Sequence, residues 1–217
     1  MNLSTELGVL LQRGITVGSS WLTAKSIEED RALIARTREG DYAAFETLYN
    51  KYKGQVYRTA LAIVRDQGAA EDILQDCFIR MYTHIECIDS SLPLIPWLYR
   101  VTVNLSYNWV TRRKKWLTPL EAVVDRLIMS PRTSPEQVVE KNELQQAVQE
   151  AIYTLNFDQR VVLILFYLTN FSIREIAYIL DVPEGTVKSR LHYGRENLRR
   201  KLLSDHRFSV GMAYELP

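Results

Sequence analysis

From Thr186 to Lys201 the chain carries six lysines and arginines against one acid, Glu196. Laid on a helix at about 100° per residue, Val187, Leu191 and Leu198 fall on one apolar stripe. The opposite arc then presents Lys188, Ser189, His192 and Tyr193, with Thr186 at its start and Arg190 and Arg195 on its flanks. Arginine and lysine reach guanine edges or phosphates, and serine and histidine hydrogen-bond to either. This arc therefore has the chemistry of a helix lying in the major groove of duplex DNA.

Two further sets of residues carry chemistry of a different kind. Residues 97–116 hold Arg100, Arg112, Arg113, Lys114 and Lys115 and no acid. Leu98, Leu105 and Trp109 share a core stripe there, while Arg100, Val103, Asn104, Tyr107 and Thr111 are expected to point away, with Asn108 beside them. Aromatic and amide groups mixed with positive charge suit unstacked bases on a phosphate backbone better than a rigid duplex. The same basic run also complements a helix dipole, so a purely structural reading stays open beside the functional one. Residues 66–89 are the reverse, with six acids against Arg80. Ala70, Ile73, Cys77, Met81 and Ile85 line up by helical spacing, and the opposite arc carries Asp72, Gln75, Asp76, Ile79 and Thr83. An isoleucine within a charged arc has the makeup of a protein-binding face, although single exposed isoleucines are common.

The elements that must position these residues are all helical by pattern. Apolar residues recur at helical spacing from Ile27 to Lys115, with no sustained alternation of period two. Residues 116–135 hold three prolines and a Ser/Thr cluster and mark a linker. Helical periodicity resumes at Glu136 and runs to about Leu203. Within it, Ser172 followed by Glu175 is a capping-box pattern. Ile176 and Leu180 then face inward, Ala177 allows a close second helix, Asp181 occupies the turn, and Pro183 suits the start of the basic helix. Asn156 and Gln159 mark a further helix start upstream. The expectation is an all-α protein of two small helical domains joined by a flexible linker, the C-terminal one a four-helix domain with a helix-turn-helix.

Composition narrows the function. With 217 residues and 47% hydrophobic content, packed cores are expected. A net charge of +1 means that nucleic-acid affinity must come from local patches. Cys77 and Cys87 lack the spacing of a metal or disulfide framework and read as reduced thiols. The longest apolar run, residues 161–168, is far short of the roughly 20 residues that span a bilayer, so no membrane insertion is expected. There is no Gly-rich phosphate loop and no nucleophile with a nearby base. No catalytic, metal or cofactor site is therefore expected. Two readings compete: a DNA-binding subunit of a larger assembly, and a stand-alone helix-turn-helix transcription regulator with an effector-binding or dimerising N-terminal half.

The four runs "GDYAAFETLYNKY", "AAEDILQDCFIRMY", "PWLYRVTVNLSYNWVTRRKK" and "SIREIAYILDVPEGTVKSRLHYGRENLRRKL", in this order, resemble the extracytoplasmic-function (ECF) sigma factors of bacterial RNA polymerase. The resemblance covers about residues 28–203. It implies an N-terminal extension over 1–27 that is expected to be disordered, sigma region two over 28–115, a linker over 116–135, region four over 136–205 and a tail over 206–217. It also implies roles for the faces derived above. Asp72, Gln75, Asp76 and Ile79 would dock on the clamp of the largest subunits of core RNA polymerase, and the C-terminal domain on the flap. The helix from Trp97 to Lys115, through Arg100, Asn104, Tyr107, Asn108, Thr111, Arg112 and Arg113, would recognise and melt the minus-ten promoter element. The loop Glu86–Pro96 before it would capture a flipped base. Thr186, Lys188, Ser189, Arg190, His192, Tyr193 and Arg195 would read the minus-thirty-five element as duplex. An anti-sigma factor is the implied inhibitor, able to hold this cytoplasmic protein near the membrane.

Three positions depart from the family pattern. Asn108 stands where the melting helix often has Asp, Asp181 where the turn often has Gly, and Asn156 where Pro usually follows Leu155. Asn108 makes the melting helix locally more positive.

Overall fold

A computed structural model describes residues 24–116 and 147–205. Most of the expected N-terminal extension, the linker beyond Trp116 and the tail lie outside the described residues. The described secondary structure is helical throughout: α1 Ala24–Arg38, α2 Tyr42–Val64, α3 Gln67–Thr83, a 3-10 turn Ile85–Cys87, and α4 Leu94–Trp116. After the linker come α5 (147–153), α6 Phe157–Tyr167, α7 Ile173–Leu180 and α8 Glu184–Leu203.

Local chemistry sets the corners. Between α1 and α2, Gly40 takes φ +89°, a conformation open to glycine at no steric cost. Asp41 then caps α2, accepting from the Ala43 and Ala44 amides at 2.9 and 3.2 Å and from Arg36 at 2.6 Å. Those bonds hold its carboxyl below the usual range, the Arg36 guanidinium contributing most. Asp66 caps α3 through the Ala69 amide at 2.9 Å. The α3 stripe Ala70, Ile73, Cys77 and Met81, continued by Ile85 of the 3-10 turn, is buried as its spacing requires, and it shares one apolar cluster with Leu48, Val56 and Ile63 of α2 and Leu98 of α4. Full burial of a Leu or Ile side chain stabilises by about 1.5 to 3 kcal/mol. The buried Asp30 of α1 is compensated by Lys51 Nζ at 2.6 Å and by the Tyr52 hydroxyl, which pins α1 to α2.

The C-terminal domain follows the sequence signals closely. Asn156 caps α6 through the Gln159 amide at 2.9 Å. The Ser172–Glu175 box closes in both directions, at 3.2 and 2.7 Å. Asp181 sits in the left-handed region at φ 55° and ends α7. Val187, Leu191 and Leu198 of α8 are buried. Gly194 sets how close α8 comes to α6, because a Cβ there would lie 3.2 Å from Leu163 Cδ1.

The two domains are clasped. Tyr99 of α4 is 1% exposed and meets Phe171, just before α7, edge to face at 4.9 Å. Buried residues of both domains form one continuous apolar cluster.

Candidate nucleic-acid interface and partner face

On α3 the acidic arc lies on the surface. Asp72, Gln75 and Asp76 are exposed, and Ile79 stands 58% exposed among them. A feature missed by the sequence reading adjoins it. Tyr42, Phe45 and Tyr49 of α2 face Gln75, Phe78, Ile79, Tyr82 and Thr83 of α3 across an apolar groove of about 430 Å³. Tyr42 stacks on Tyr82 at 6.1 Å, and Tyr49 meets Phe78 edge to face at 4.8 Å. The i, i+3, i+7 spacing of the three α2 aromatics was the signal available for it.

On α4 the expected outward residues divide. Asn104, Asn108 and Arg112 are exposed and Thr111 is half-buried. Tyr107 is 52% exposed but packs edge to face on Phe157 of α6 at 5.2 Å. Arg113 lies over Trp109 and pairs with Asp66 at 3.7 Å. Val103, expected outward, is buried at 6% and belongs to the apolar cluster that both domains share. Arg100 is turned into the clasp. Its Nε donates to the Ile179 carbonyl at 3.1 Å, a second nitrogen donates to the Tyr178 carbonyl, and the guanidinium lies 5.1 Å from the Tyr178 ring. It thus caps the C-terminal end of α7, where carbonyls lack intrahelical partners and the dipole favours a cation.

On α8, Lys188, Ser189, His192 and Tyr193 point to solvent, the His192 and Tyr193 rings 5.3 Å apart. Thr186 is half-buried, and its carbonyl accepts from the Ser189 hydroxyl at 2.9 Å. The flanking arginines are held by α6. Arg190 pairs with Asp158 at 2.7 Å, and Arg195 lies over Phe166 and Tyr167 at 5.3 and 5.5 Å. A guanidinium within about 6 Å of an aromatic ring centre is an attractive contact in its own right.

The geometry supplies three surfaces: an acidic face with an apolar centre, a basic helix with amides and aromatics, and a basic helix ending a helix-turn-helix. Cys77 is buried and Cys87 exposed, both as free thiols. Among the described residues no cluster of His, Cys, Asp or Glu could hold a metal ion, and no helix is long and apolar enough to cross a membrane.

Comparison with known proteins places these surfaces in context. The family model Sigma-70 region 2 matches residues 48–116, and Sigma-70, region 4 matches residues 145–198. The chain is 34% identical over 176 residues to the ECF RNA polymerase sigma factor SigW of Bacillus subtilis, covering 78% of this chain and 94% of that one. It is 30% identical over 182 residues to the ECF RNA polymerase sigma-E factor of Escherichia coli K12, covering 80% and 94%. In fold it is similar to CnrH, solved in complex with the cytosolic domain of CnrY, with a TM-score of 0.59, 20% identity and coverage of 82% and 99%. It is likewise similar to the sigma factor RpoE of Bartonella quintana, solved with the anti-sigma factor NepR, at a TM-score of 0.56, 22% identity and coverage of 74% and 98%.

Proposed function

The chain belongs to the ECF sigma factors of RNA polymerase, and on that footing we propose how its faces divide the work of promoter-specific initiation. Asp72, Gln75, Asp76 and Ile79 bind the clamp of core RNA polymerase, and the C-terminal domain engages the flap. The observation that carries this reading is Ile79, 58% exposed at the centre of an acidic arc, a side chain whose burial becomes favourable only under a protein partner.

Lys188, Ser189, His192 and Tyr193 of α8 read the minus-thirty-five element in the major groove. Arg190 and Arg195, held against α6, orient that helix and stay within reach of phosphates. Asn104, Tyr107, Asn108 and Arg112 of α4, with the loop that precedes them, hold the melted minus-ten strand. The protein supplies binding energy and the core enzyme supplies the chemistry. Unstacking a base costs a few kcal/mol, which stacking and backbone contacts offset.

The clasp gives this function an order of events. Arg100 cannot cap α7 and contact a nucleotide at once, so it joins those α4 residues on the minus-ten strand only when α4 and α7 part. A protein that favours the clasped form inhibits by mass action, which is the role assigned here to an anti-sigma partner. The work takes place in the cytoplasm, where core polymerase and promoter DNA are found. A stand-alone regulator is not favoured, because such a protein has no use for the Ile79 face.

Run-off transcription with purified core polymerase on a broad promoter library tests the proposal. The expected result is new initiation sites that depend on this protein. Transcripts unchanged by its addition would overturn it.

A further inference from the structure

The segment joining α3 to α4 is anchored from a distance by one side chain. Arg38, the last residue of α1, donates Nε to the Ile85 carbonyl at 3.1 Å and a terminal nitrogen to the Ile88 carbonyl at 2.5 Å. The Glu86 carboxylate lies 3.9 Å from the same group. These contacts span 47 and 50 residues of sequence. Among the described residues, the other hydrogen bonds of residues 84–92 are local. The Cys87 amide donates to the His84 carbonyl, the Leu92 amide donates to the Asp89 carbonyl, and the Asp89 carboxylate accepts from the Ser91 amide and hydroxyl.

Past this anchor the loop turns outward. Ile88 is buried, while Asp89 and Ser91 are exposed and Leu92 is 46% exposed. Hydrogen bonds from Ser91 hold the Asp89 carboxyl below its ordinary range, and the positive charge of Arg38 adds to them. An exposed apolar side chain beside a fixed acceptor suits an unstacked base, which can be read by apolar contact with its face and by hydrogen bonds to its edge. Such recognition discriminates only while its groups are held to within about 0.5 Å. A planar guanidinium meets that demand because it donates in two fixed directions, whereas an ammonium is a point charge on a flexible stem.

We propose that Arg38 is the positioning residue of the minus-ten loop: by gripping Ile85 and Ile88 it sets the course of residues 89–92 and so the base that the loop accepts. The inference rests on the reading above, that this loop captures a base of the melted strand. Among the described residues Arg38 hydrogen-bonds or pairs only with Ile85, Glu86 and Ile88, so the role predicts a loss confined to minus-ten discrimination.

The test uses the full chain bound to core polymerase. The probes are single-stranded oligonucleotides randomised across the minus-ten positions, and a preferred sequence from that pool carrying 2-aminopurine at the captured position. Arg38→Ala is expected to narrow the gap between preferred and mismatched sequences by about tenfold, the scale of one well-made base contact. Core affinity should be unchanged, and the fluorescence of the bound 2-aminopurine should differ from wild type. Arg38→Lys should recover part of the discrimination and not all of it. Full discrimination in both variants, or an equal loss across all sequences, overturns the inference and leaves the proposed function standing. A wild-type complex that does not discriminate overturns both. Where Arg38→Ala also loses core binding, Arg38→Lys decides: reduced discrimination with intact core binding supports the role, and full discrimination overturns it.

Discussion

The Arg100 guanidinium donates to the Ile179 carbonyl at 3.1 Å, joining residues 79 apart in sequence and belonging to different domains. Hydrogen bonds to a charged group contribute about 1.5 to 3 kcal/mol. Replacing Arg100 by Ala should therefore shift the balance between clasped and parted domains toward parted by about tenfold or more. Small-angle X-ray scattering on the free protein should report a larger radius of gyration. An unchanged radius would mean that the aromatic contacts Tyr99–Phe171 and Tyr107–Phe157 hold the clasp without Arg100.

Ile79→Asp places a charge at the apolar centre of the acidic face. Association with core polymerase should weaken while duplex DNA binding by α8 and the melting temperature hold. Fluorescence anisotropy with labelled core enzyme measures the first. A matching loss in all three quantities would point to a folding defect instead.

The residues of α8 should separate by environment. Lys188→Ala should cost about 1 to 3 kcal/mol of minus-thirty-five binding if it meets a base edge, and the loss should depend on sequence. Arg190→Ala removes an ion pair with a half-exposed Asp158, a contact worth about 0 to 1 kcal/mol of stability. Competition binding with mismatched duplexes, together with thermal melting, distinguishes the two.

Asp41 makes stability depend on acidity. Its carboxyl is depressed in the folded protein by Arg36 and the α2 amides. The stabilisation is present above the unfolded carboxyl's ordinary pKa, near 3.8, and is lost as pH falls through the lower folded value. Asp41→Asn should flatten the acid limb of the melting curve. Equal pH slopes in the two proteins would show that the cap is not linked to folding.

The thiols should differ in reactivity. Burial pushes the Cys77 thiol up to about 12, where almost no thiolate forms at neutral pH, while Cys87 is exposed. A maleimide on the native protein should label Cys87 alone, as read by peptide mass spectrometry, and Cys77 only after denaturation. Labelling of Cys77 in the native state would show that α3 opens.

How much was legible in the sequence depends on the distance over which each feature is decided. Ile79, the α3 stripe, the Ser172 box, the Asp181 turn and the outward Lys188, Ser189, His192 and Tyr193 were all readable. Helical period, capping and turn chemistry act over a few residues, so the local sequence determines them. The clasp was not readable. Nothing near Arg100 encodes that it will meet the end of α7, nothing near Arg190 that Asp158 awaits it, and nothing near Val103 that it will be covered. Those outcomes depend on which helices pack together, a choice made by the summed burial of distant apolar surfaces. The same holds for Arg38, whose two carbonyl partners come within reach only when α1 closes on the loop after α3. By itself the sequence determined the helices, the faces of α3 and α8, and the family. The tertiary structure alone decided which charged side chains stand free for DNA and which hold the fold, because helix packing brings their partners from elsewhere in the chain.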